Sequence, residues 1–525
     1  MTDDQHKGLR LFKSGSIVSA MTLLSRLLGF IRDQVFAILL GAGPMTDAFF
    51  VAFKIPNFLR RLFAEGAFAQ SFVPVFTQYK EKNSHLQLRE LAAKVSGTLG
   101  LLVLILSILG SLCAPWLVSL FAPGFEADDP RRQLTTDMLR ITFPYLFFIS
   151  MVAYAGGVLN SFHRFALPAF TPVLLNISLI TAALWGTQFF PKPIVALAWG
   201  VFAAGALQLL FQLPTLHKLG LLVLPRWGWQ HSGVKKIREL MLPAIFGSSV
   251  AQINLLLDTI IASLLVAGSV SWLYYADRLV EFPLGVFGIA IATVILPRLS
   301  AIHAQDNRDG FQHTMDWAVR LGVVIALPCC TGLFLLSTPM LATLFGYGEF
   351  SAHDVTMSSW SLKAYALALP GFILVKILAP GFFARQNTKT PVRIGIIAMV
   401  CNMAYNVVLV GTMVLLALPA PHTGLALATA LSANQQAFML LRQLRRESAY
   451  SLSAGNRRII AGSVFASLLM AIAVYLVSPE SEFWFDAPAS LRATRLIVII
   501  AIAILTYVAA MLIAKIHPRD LLPHK

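Results

Sequence analysis

The sequence predicts an all-α protein that crosses a membrane many times. Of its 525 residues, 57% are hydrophobic and only 13% are charged, whereas soluble proteins carry about a quarter charged residues. Apolar runs of roughly 20 residues, the length at which a helix spans a bilayer, recur along the whole chain. A transmembrane β-barrel is excluded because its strands would alternate polar and apolar residues rather than run continuously apolar.

Length and hydropathy together predict about fourteen transmembrane helices. The predicted spans are 15–41, 47–78, 92–120, 137–162, 167–189, 194–217, 237–267, 271–300, 316–345, 356–384, 392–417, 423–443, 458–478 and 493–514. Three basic residues precede the first run, as in a signal peptide, but that run is too long and too polar to be one. We therefore expect it to be retained as the first helix.

The charge of the connecting loops predicts that both termini face the cytoplasm. Alternate connections are rich in Lys and Arg, namely 80–90, 161–165, 217–239, 298–310, 384–393 and 442–458, as is the C-terminal stretch 515–520. The intervening connections at 41–45, 125–132, 346–354 and 478–486 are close to neutral or acidic. The same loops account for most of the net charge of +16, so nucleic-acid binding is not needed to explain it.

An internal repeat divides the chain. AILLGAG (37–43) resembles ASLLVAG (262–268), and several residues recur at nearly the same offset, about 225 positions. These pairs are Pro144 with Pro370, Gly157 with Gly381, and Asn176 with Asn402. Each repeat holds six predicted helices, an even number, so the two halves start from the same side and form a parallel repeat.

The repeat predicts three parts. An N-lobe at 1–218 holds helices 1–6, a C-lobe at 219–446 holds helices 7–12, and an appendage at 447–525 holds helices 13 and 14. In parallel-repeat transporters the binding site lies between the halves near the middle of the membrane. Residues of the two lobes that are unusual in a membrane span are therefore the candidates for such a site.

Basic residues inside the apolar spans are the strongest functional signal. A charge at the bilayer centre costs roughly 2.5–3.5 kcal/mol on insertion scales, yet SRLLGFIRD (25–33) alone contains two arginines. The candidates for a substrate cavity are Ser25, Arg26, Arg32, Arg60, Arg61, Arg278 and Lys376. Each basic side chain could instead snorkel to the headgroups or pair with a nearby acid, as the spacing of Arg61–Glu65 and Arg278–Glu281 permits.

The repeat suggests what these arginines do. Arg32 and Arg60 belong to the first half and Arg278 to the second, so we expect them to converge on one cavity. A cavity with a surplus of guanidinium groups favours an anion, and the planar fork suits phosphate oxygens. The sequence thus predicts a carrier of a phosphate-bearing substrate.

A second, looser cluster could hold a cation. Asp258, Asn402 and Asn406 offer oxygen ligands suited to Na⁺, although interhelical hydrogen bonding explains the two asparagines equally well. The sequence contains no Walker A motif, Rossmann fingerprint, zinc-ligand spacing or nucleophile elbow. We predict a transporter rather than an enzyme, with no cofactor other than this Na⁺.

Three stretches resemble a known family. SRLLGFIRD (25–33), TDAFFVAFKIPNFLRRLFAEGAFAQSFVPVF (46–76) and SWLYYADRLVEFPLGVFGIA (271–290) are similar to the MurJ (MviN) lipid II flippases. These belong to the multidrug/oligosaccharidyl-lipid/polysaccharide exporter superfamily. The resemblance implies a bacterial inner-membrane protein that moves lipid II from the cytoplasmic to the periplasmic leaflet by alternating access.

The resemblance also implies roles for individual residues. The cavity arginines of the family are matched by Arg26, Arg32, Arg60 and Arg278, and its functionally sensitive acids by Asp47 and Glu281. The two extra C-terminal helices of the family form a lipid-facing groove, which the appendage matches in position and number. Some members bind Na⁺ in the second half, which fits the Asp258 cluster.

The implied partners are lipid II, the phospholipid membrane and other cell-wall synthesis proteins, with no nucleic acid. Three alternative functions fit parts of the sequence. One is a flippase for another polyprenyl-diphosphate glycan, such as an O-antigen precursor. The second is a multidrug/cation antiporter of the same superfamily, which would need a cavity dominated by acids and aromatic residues. The third is a scaffold for cell division that transports nothing and needs no arginine inside a span.

Overall fold

The computed structural model describes the backbone of residues 3–61 and 67–521, and within these ranges it describes all side chains except those of 3–16, 246–251, 289 and 518. The described residues form helices and connecting loops, without a β-strand. The predicted all-α class is therefore confirmed. Residue Glu65 lies outside the described residues, and so does the predicted pairing of Arg61 with it.

The helices of the first part of the chain are α1 (Asp3–Leu40), α2 (Pro44–Arg60), α3 (Ala69–Lys82), α4 (His85–Leu112), α5 (Ala114–Phe121), α6 (Pro130–Thr142), α7 (Tyr145–Ser161), α8 (Ala166–Leu184), α9 (Val195–Lys218) and α10 (Ser232–Ser263). Those of the second part are α11 (Ser269–Pro283), a π-helical turn (Leu284–Gly288), α12 (Ile289–Ala304), α13 (Arg308–Leu335), α14 (Ser337–Leu344), α15 (Ala352–Ala366), α16 (Leu369–Phe383), α17 (Lys389–Leu415), α18 (Thr423–Arg446), α19 (Ala454–Val477), α20 (Phe483–Asp486) and α21 (Ala489–Ile513).

Ten stretches of helix within the described residues are long and apolar enough to cross a membrane. They are His85–Leu112, Pro130–Ser161, Ala166–Leu184, Val195–Lys218, Ser269–Ala304, Arg308–Leu335, Ala352–Phe383, Lys389–Leu415, Ala454–Val477 and Ala489–Ile513. The other four predicted spans fall on α1, on α2 with α3, on α10 and on α18. The described residues of these segments are helical, but no helix in them is among the ten that are long and apolar enough to cross a membrane. The count of fourteen spans is therefore not confirmed.

The internal repeat is visible in the helix lengths. α4 has 28 residues and is followed, after a one-residue break, by the eight-residue α5. α13 and α14 repeat the same lengths and the same break. A π-helical backbone also occurs at residue 61 and again at 284–288, just after α2 and α11. Such wide turns are uncommon and often mark functional sites.

The chain forms two compact units, residues 1–270 and 271–525. Helix α10 packs within unit 1, against α2, α3, α4 and α5. The sequence assigned this helix to the second lobe because it starts the second repeat. The boundary of the compact units thus follows packing, whereas the division after residue 218 follows the repeat and stays a prediction.

An extended segment of unit 1, residues 220–231, lies across α4. The Arg226 amide donates to the Ala93 carbonyl at 2.9 Å, and the Gly228 amide donates to Thr98 Oγ1 at 3.0 Å. Gly97 makes this approach possible, because a Cβ there would lie 2.3 Å from the Arg226 backbone nitrogen. We call this segment the strap.

A buried polar cluster in unit 2 surrounds His422, which precedes α18. Its Nε2 lies 3.1 Å from the Met357 carbonyl oxygen, and its ring lies 5.0 Å from that of Trp272. Trp272 Nε1 in turn donates to Asp354 Oδ1 at 2.8 Å. Burial, to which the charge of nearby His353 adds, lowers the pKa of His422 to about 4.

The C-terminal helices pack on the rest of unit 2 through polar contacts. Asp316 of α13 accepts hydrogen bonds at Oδ1 from the Tyr450 hydroxyl, at 2.9 Å, and from Asn456 Nδ2, at 3.0 Å. At the other end, buried Arg492 of α21 donates to the Ala342 carbonyl at 2.9 Å. These contacts fix α19 and α21 to α13 and α14, and the lipid-facing groove stays a prediction.

Candidate functional site

The first candidate, Arg32, lies inside unit 1 and is buried. Its Nε and Nη2 both donate to Asp33 Oδ1, at 3.0 and 2.7 Å. Its Nη1 donates to Asn176 Oδ1 at 3.0 Å. Arg32 is eight residues from the end of α1 at Leu40, about 12 Å along the helix. The sequence therefore holds this charge within an apolar segment by giving it a carboxylate and an amide partner.

Asn176 is a hydrogen-bond partner of Arg32 that the sequence reasoning did not select as a site residue. Its side chain sits on α8, which packs along α1, and its Nδ2 donates to the Ser25 carbonyl at 2.9 Å. Asn176 thus joins two ends of the SRLLGFIRD motif (25–33). The signal for it was present, because Asn176 and Asn402 form one of the repeat pairs and both are buried.

Three further arginines of unit 1 have different surroundings. Arg26 is exposed on α1, next to the half-buried Ser25. Arg60 ends α2, is half-buried, and donates from Nε to Asn57 Oδ1 at 2.8 Å. Arg61 follows it with a π-helical backbone and is also half-buried. These side chains are thus more open than that of Arg32, which suits residues that contact a ligand.

Asp47 is almost completely buried at the start of α2. Its Oδ2 accepts a 2.6 Å hydrogen bond from the Gly268 amide. Gly268 has a positive φ of 98°, which an L side chain rarely adopts. Asp47 therefore ties the start of α2 to the loop between α10 and α11, a contact that would have to break if this loop moved.

The candidates of unit 2 include a second ion pair. Arg278 Nη1 donates to Glu281 Oε2 at 2.7 Å, and the guanidinium carbon lies 4.6 Å from the centre of the Tyr274 ring. The Arg278 side chain is 30% exposed and that of Glu281 is 46% exposed. Lys376 of α16 is also exposed. Unlike Arg32, Arg278 is thus accessible while it is paired.

The position of Arg278 along its span is informative. It lies nine residues after the start of the apolar stretch Ser269–Ala304, about 14 Å along the helix. The hydrocarbon core of a bilayer is about 30 Å thick. The predicted pairing of Arg278 with Glu281 is observed, and it places an accessible ion pair about a quarter of the way along this stretch of 36 residues.

The residues proposed for Na⁺ are divided between the units. Asp258 is half-buried on α10 in unit 1. Asn402 and Asn406 are buried on α17 in unit 2, and Asn406 Nδ2 donates to Asn402 Oδ1 at 3.1 Å. Among the described residues, no group of three or more His, Cys, Asp or Glu side chains could hold a metal ion. Binding of Na⁺ stays a prediction.

The two ion pairs have a common chemical consequence. Because Asp33 and Glu281 neutralise Arg32 and Arg278, the surplus of positive charge is smaller than the arginine count suggests. An anion that binds either guanidinium must compete with its carboxylate. This competition is easier at the accessible Arg278 pair than at the buried Arg32 pair, since exposed ion pairs contribute little stability.

Comparison with known proteins identifies relatives along almost the whole chain. The profile of the family described as "Lipid II flippase MurJ" matches residues 36–486. The "Probable lipid II flippase MurJ" of Vibrio cholerae serotype O1 is 47% identical over 519 residues, which cover 98% of each chain. The "Lipid II flippase MurJ" of Burkholderia cenocepacia is 42% identical over 467 residues, covering 88% of this chain and 89% of the relative.

Solved structures of transporters also resemble this chain. A structure described as "Lipid II flippase MurJ, inward closed conformation" matches with a TM-score of 0.79 and 26% identity, covering 96% of this chain and 99% of the other. An inward-facing multidrug resistance MATE transporter of the MOP superfamily matches with a TM-score of 0.64 and 15% identity, covering 82% of this chain and 98% of the other. At that identity the second match shows the fold alone.

Proposed function

The chain belongs to the MurJ family of lipid II flippases, and we propose that it moves lipid II from the cytoplasmic to the periplasmic leaflet of the bacterial inner membrane. The family predicted from three motifs is thereby confirmed, and it is a family of transporters rather than of enzymes. Transport of lipid II supplies the precursor for peptidoglycan outside the membrane.

The substrate explains why arginines lie inside apolar helices. Lipid II carries a diphosphate, a large polar head and a long polyprenyl tail. The tail can stay in the lipid, but the diphosphate needs cationic hydrogen-bond donors wherever water is scarce. Arg26, Arg32 and Arg60 in unit 1 and Arg278 in unit 2 supply such donors, with Ser25, Arg61 and Lys376 as further contacts.

The observation that carries this proposal is the accessible ion pair of Arg278 and Glu281. In the absence of substrate, Glu281 holds the guanidinium and neutralises it. The diphosphate of lipid II then displaces Glu281, so that Arg278 exchanges one anionic partner for another. Glu281 acts in this way as a gating residue. Asp47 is the second gating residue, because its bond to the Gly268 amide must break if the loop between α10 and α11 moves.

The membrane potential supplies part of the driving force in this proposal. The cell interior is negative, and moving an anion outward is favoured by about 2.3 kcal/mol per charge for each 100 mV. Collapsing the potential with an ionophore in a spheroplast flipping assay should therefore slow the appearance of lipid II in the outer leaflet. An unchanged rate would contradict this part of the proposal.

Replacement of Arg278 tests the function as a whole. A strain depleted of its own lipid II flippase should grow when it expresses the wild-type chain and should stop growing with Arg278→Ala. Arg298→Ala is the matched control, because Arg298 is an exposed arginine in the same stretch Ser269–Ala304 but outside the proposed site. Normal growth with Arg278→Ala at equal expression would favour a non-transporting scaffold.

A further inference from the structure

A pocket between the ends of α17 and α18 in unit 2 has no part in the transport described above. It encloses about 310 Å³, and Arg393, Arg442 and Arg446 line it. These residues belong to two connections, 384–393 and 442–458, that loop charge predicts to face the cytoplasm. We propose that this pocket binds the phosphate of an anionic phospholipid in the cytoplasmic leaflet.

The pocket is built from one face of each helix. Along α18, Phe438, Arg442 and Arg446 are spaced four residues apart, so they lie on the same face. Along α17, Arg393 is followed by Ile394 and Ile397, which also line the pocket. α17 begins at Lys389 and α18 ends at Arg446, so the pocket lies at one end of this helix pair.

The chemistry of the lining changes along the pocket in the order of a phospholipid. Phe438 is 63% exposed and lies about 6 Å along α18 from Arg442, on the membrane side. Phe438, Ile394 and Ile397 form an apolar wall suited to the start of an acyl chain. Along their helices, the three arginines lie closer than these residues to the open end of the helix pair, and planar guanidinium groups suit phosphate oxygens. A soluble anion would need only the arginines and not the apolar wall.

The charge of the pocket is not neutralised by nearby acids. Arg393, Arg442 and Arg446 are exposed, and the ion pairs found among the described residues do not include them. Glu447, the neighbouring carboxylate, accepts instead from Arg385 Nη2 at 2.6 Å and from Gln443 Nε2 at 2.8 Å. The pocket therefore keeps three positive charges at a membrane surface that is itself negative.

The helix dipole explains only part of this arrangement. Basic residues in the last turn of a helix interact favourably with its dipole, which accounts for Arg446. Arg393 lies near the start of α17, where the dipole gives a cation no such stabilisation. A bound phosphate accounts for all three arginines at once, and for their placement around one cavity.

The test measures lipid binding to the full purified chain rather than transport. Native mass spectrometry would follow titration with dioleoyl-phosphatidylglycerol, and in parallel with the zwitterionic dioleoyl-phosphatidylcholine. The variant replaces Arg393, Arg442 and Arg446 by Gln. The control replaces Arg89, Arg445 and Arg457 by Gln, which removes the same charge from exposed residues of the predicted cytoplasmic face. Equal thermal unfolding midpoints establish that both variants are folded.

We expect the pocket variant to bind phosphatidylglycerol about 100-fold more weakly, at roughly five-fold per arginine removed, and the control to change little. Phosphatidylcholine binding should be the same in all three proteins. If the triple variant is unstable, Arg442→Gln alone should lower the affinity roughly five-fold. Equal losses in the pocket variant and the control would overturn the proposal, since only general surface charge would then matter.

A competition experiment distinguishes a bound lipid from a bound soluble anion. Inorganic phosphate and glycerol phosphate, added as competitors, should leave phosphatidylglycerol bound at concentrations far above that of the lipid, because they cannot contact the apolar wall. Displacement of the lipid by either competitor at equal concentration would overturn the assignment to a phospholipid.

Discussion

Replacing Arg32 by Met is expected to destabilise unit 1 strongly. The substitution leaves the Asp33 carboxylate, which is 1% exposed, without the two donors that Arg32 supplies, and it removes the donor to Asn176 Oδ1. Removing one partner of a buried ion pair costs about 3–5 kcal/mol, because the remaining charge stays buried. The same cost is expected for Asp33→Leu, which leaves the guanidinium buried instead.

The double variant Arg32→Met/Asp33→Leu should be more stable than either single variant. Apolar replacements of a buried pair are often close to neutral, so the remaining loss is that of the unpaired Asn176 oxygen, about 1–3 kcal/mol. The coupling energy between the two positions should therefore be at least about 3 kcal/mol. Equilibrium unfolding in mixed detergent–SDS micelles measures all four free energies of unfolding.

Additive losses would refute this reasoning, because they would mean that Arg32 and Asp33 do not stabilise each other. The double variant also separates the two roles of Arg32. If Arg32 contacts the diphosphate, the refolded double variant should move lipid II more slowly than the wild type in proteoliposomes. A matched control is Leu28→Met, which changes another residue of the same motif without touching a charge.

Three further predictions address other contacts. Asp47→Asn should lower the free energy of unfolding by about 1–2 kcal/mol, because the acceptor of the Gly268 amide loses its charge. Denaturant unfolding measures this loss, and a midpoint equal to that of the wild type would show that the charge of Asp47 does not stabilise the fold. Between pH 6.5 and about 4, the folded chain binds fewer protons at His422 than the unfolded chain does. Stability should therefore fall as the pH falls through this range, by at most about 3 kcal/mol, and His422→Leu should remove that part of the pH dependence. Gly97→Ala should cost about 1–3 kcal/mol, since the new Cβ meets the Arg226 backbone of the strap; a thermal midpoint equal to that of the wild type would argue against the close approach.

Local sequence patterns were sufficient for much of the fold. Span 194–217 was predicted from hydropathy and is observed as Val195–Lys218, because a continuous apolar run of that length has few alternatives to a buried helix. The Arg278–Glu281 pair was predicted from spacing alone, since residues three apart share a helical face. Both inferences depended only on the sequence pattern within a single helix.

Features that depend on packing between helices could not be predicted in the same way. The π-helical backbone at residue 61, just after α2, was not predicted within the interval 47–78, because a wide turn leaves no trace in hydropathy. Likewise, α10 packs with unit 1 although the repeat places it in the second half.

The site itself was predicted only in part. The arginines were selected because a charge in an apolar run is costly wherever the helix packs. Asn176 was missed as a partner of Arg32 because the two residues are 144 positions apart and meet only through the packing of α1 against α8. The role of Asp33 was also missed, since adjacent helical residues do not ordinarily face each other.

Binding of lipid II to the purified chain is the most direct test of the central claim that arginines within the membrane recognise its diphosphate. Native mass spectrometry of the wild type, Arg278→Ala and the control Arg298→Ala, each titrated with lipid II, provides the comparison. Loss of a guanidinium contact to phosphate should weaken binding by Arg278→Ala about ten-fold or more, with no change for Arg298→Ala. Equal affinities of all three proteins would contradict the account.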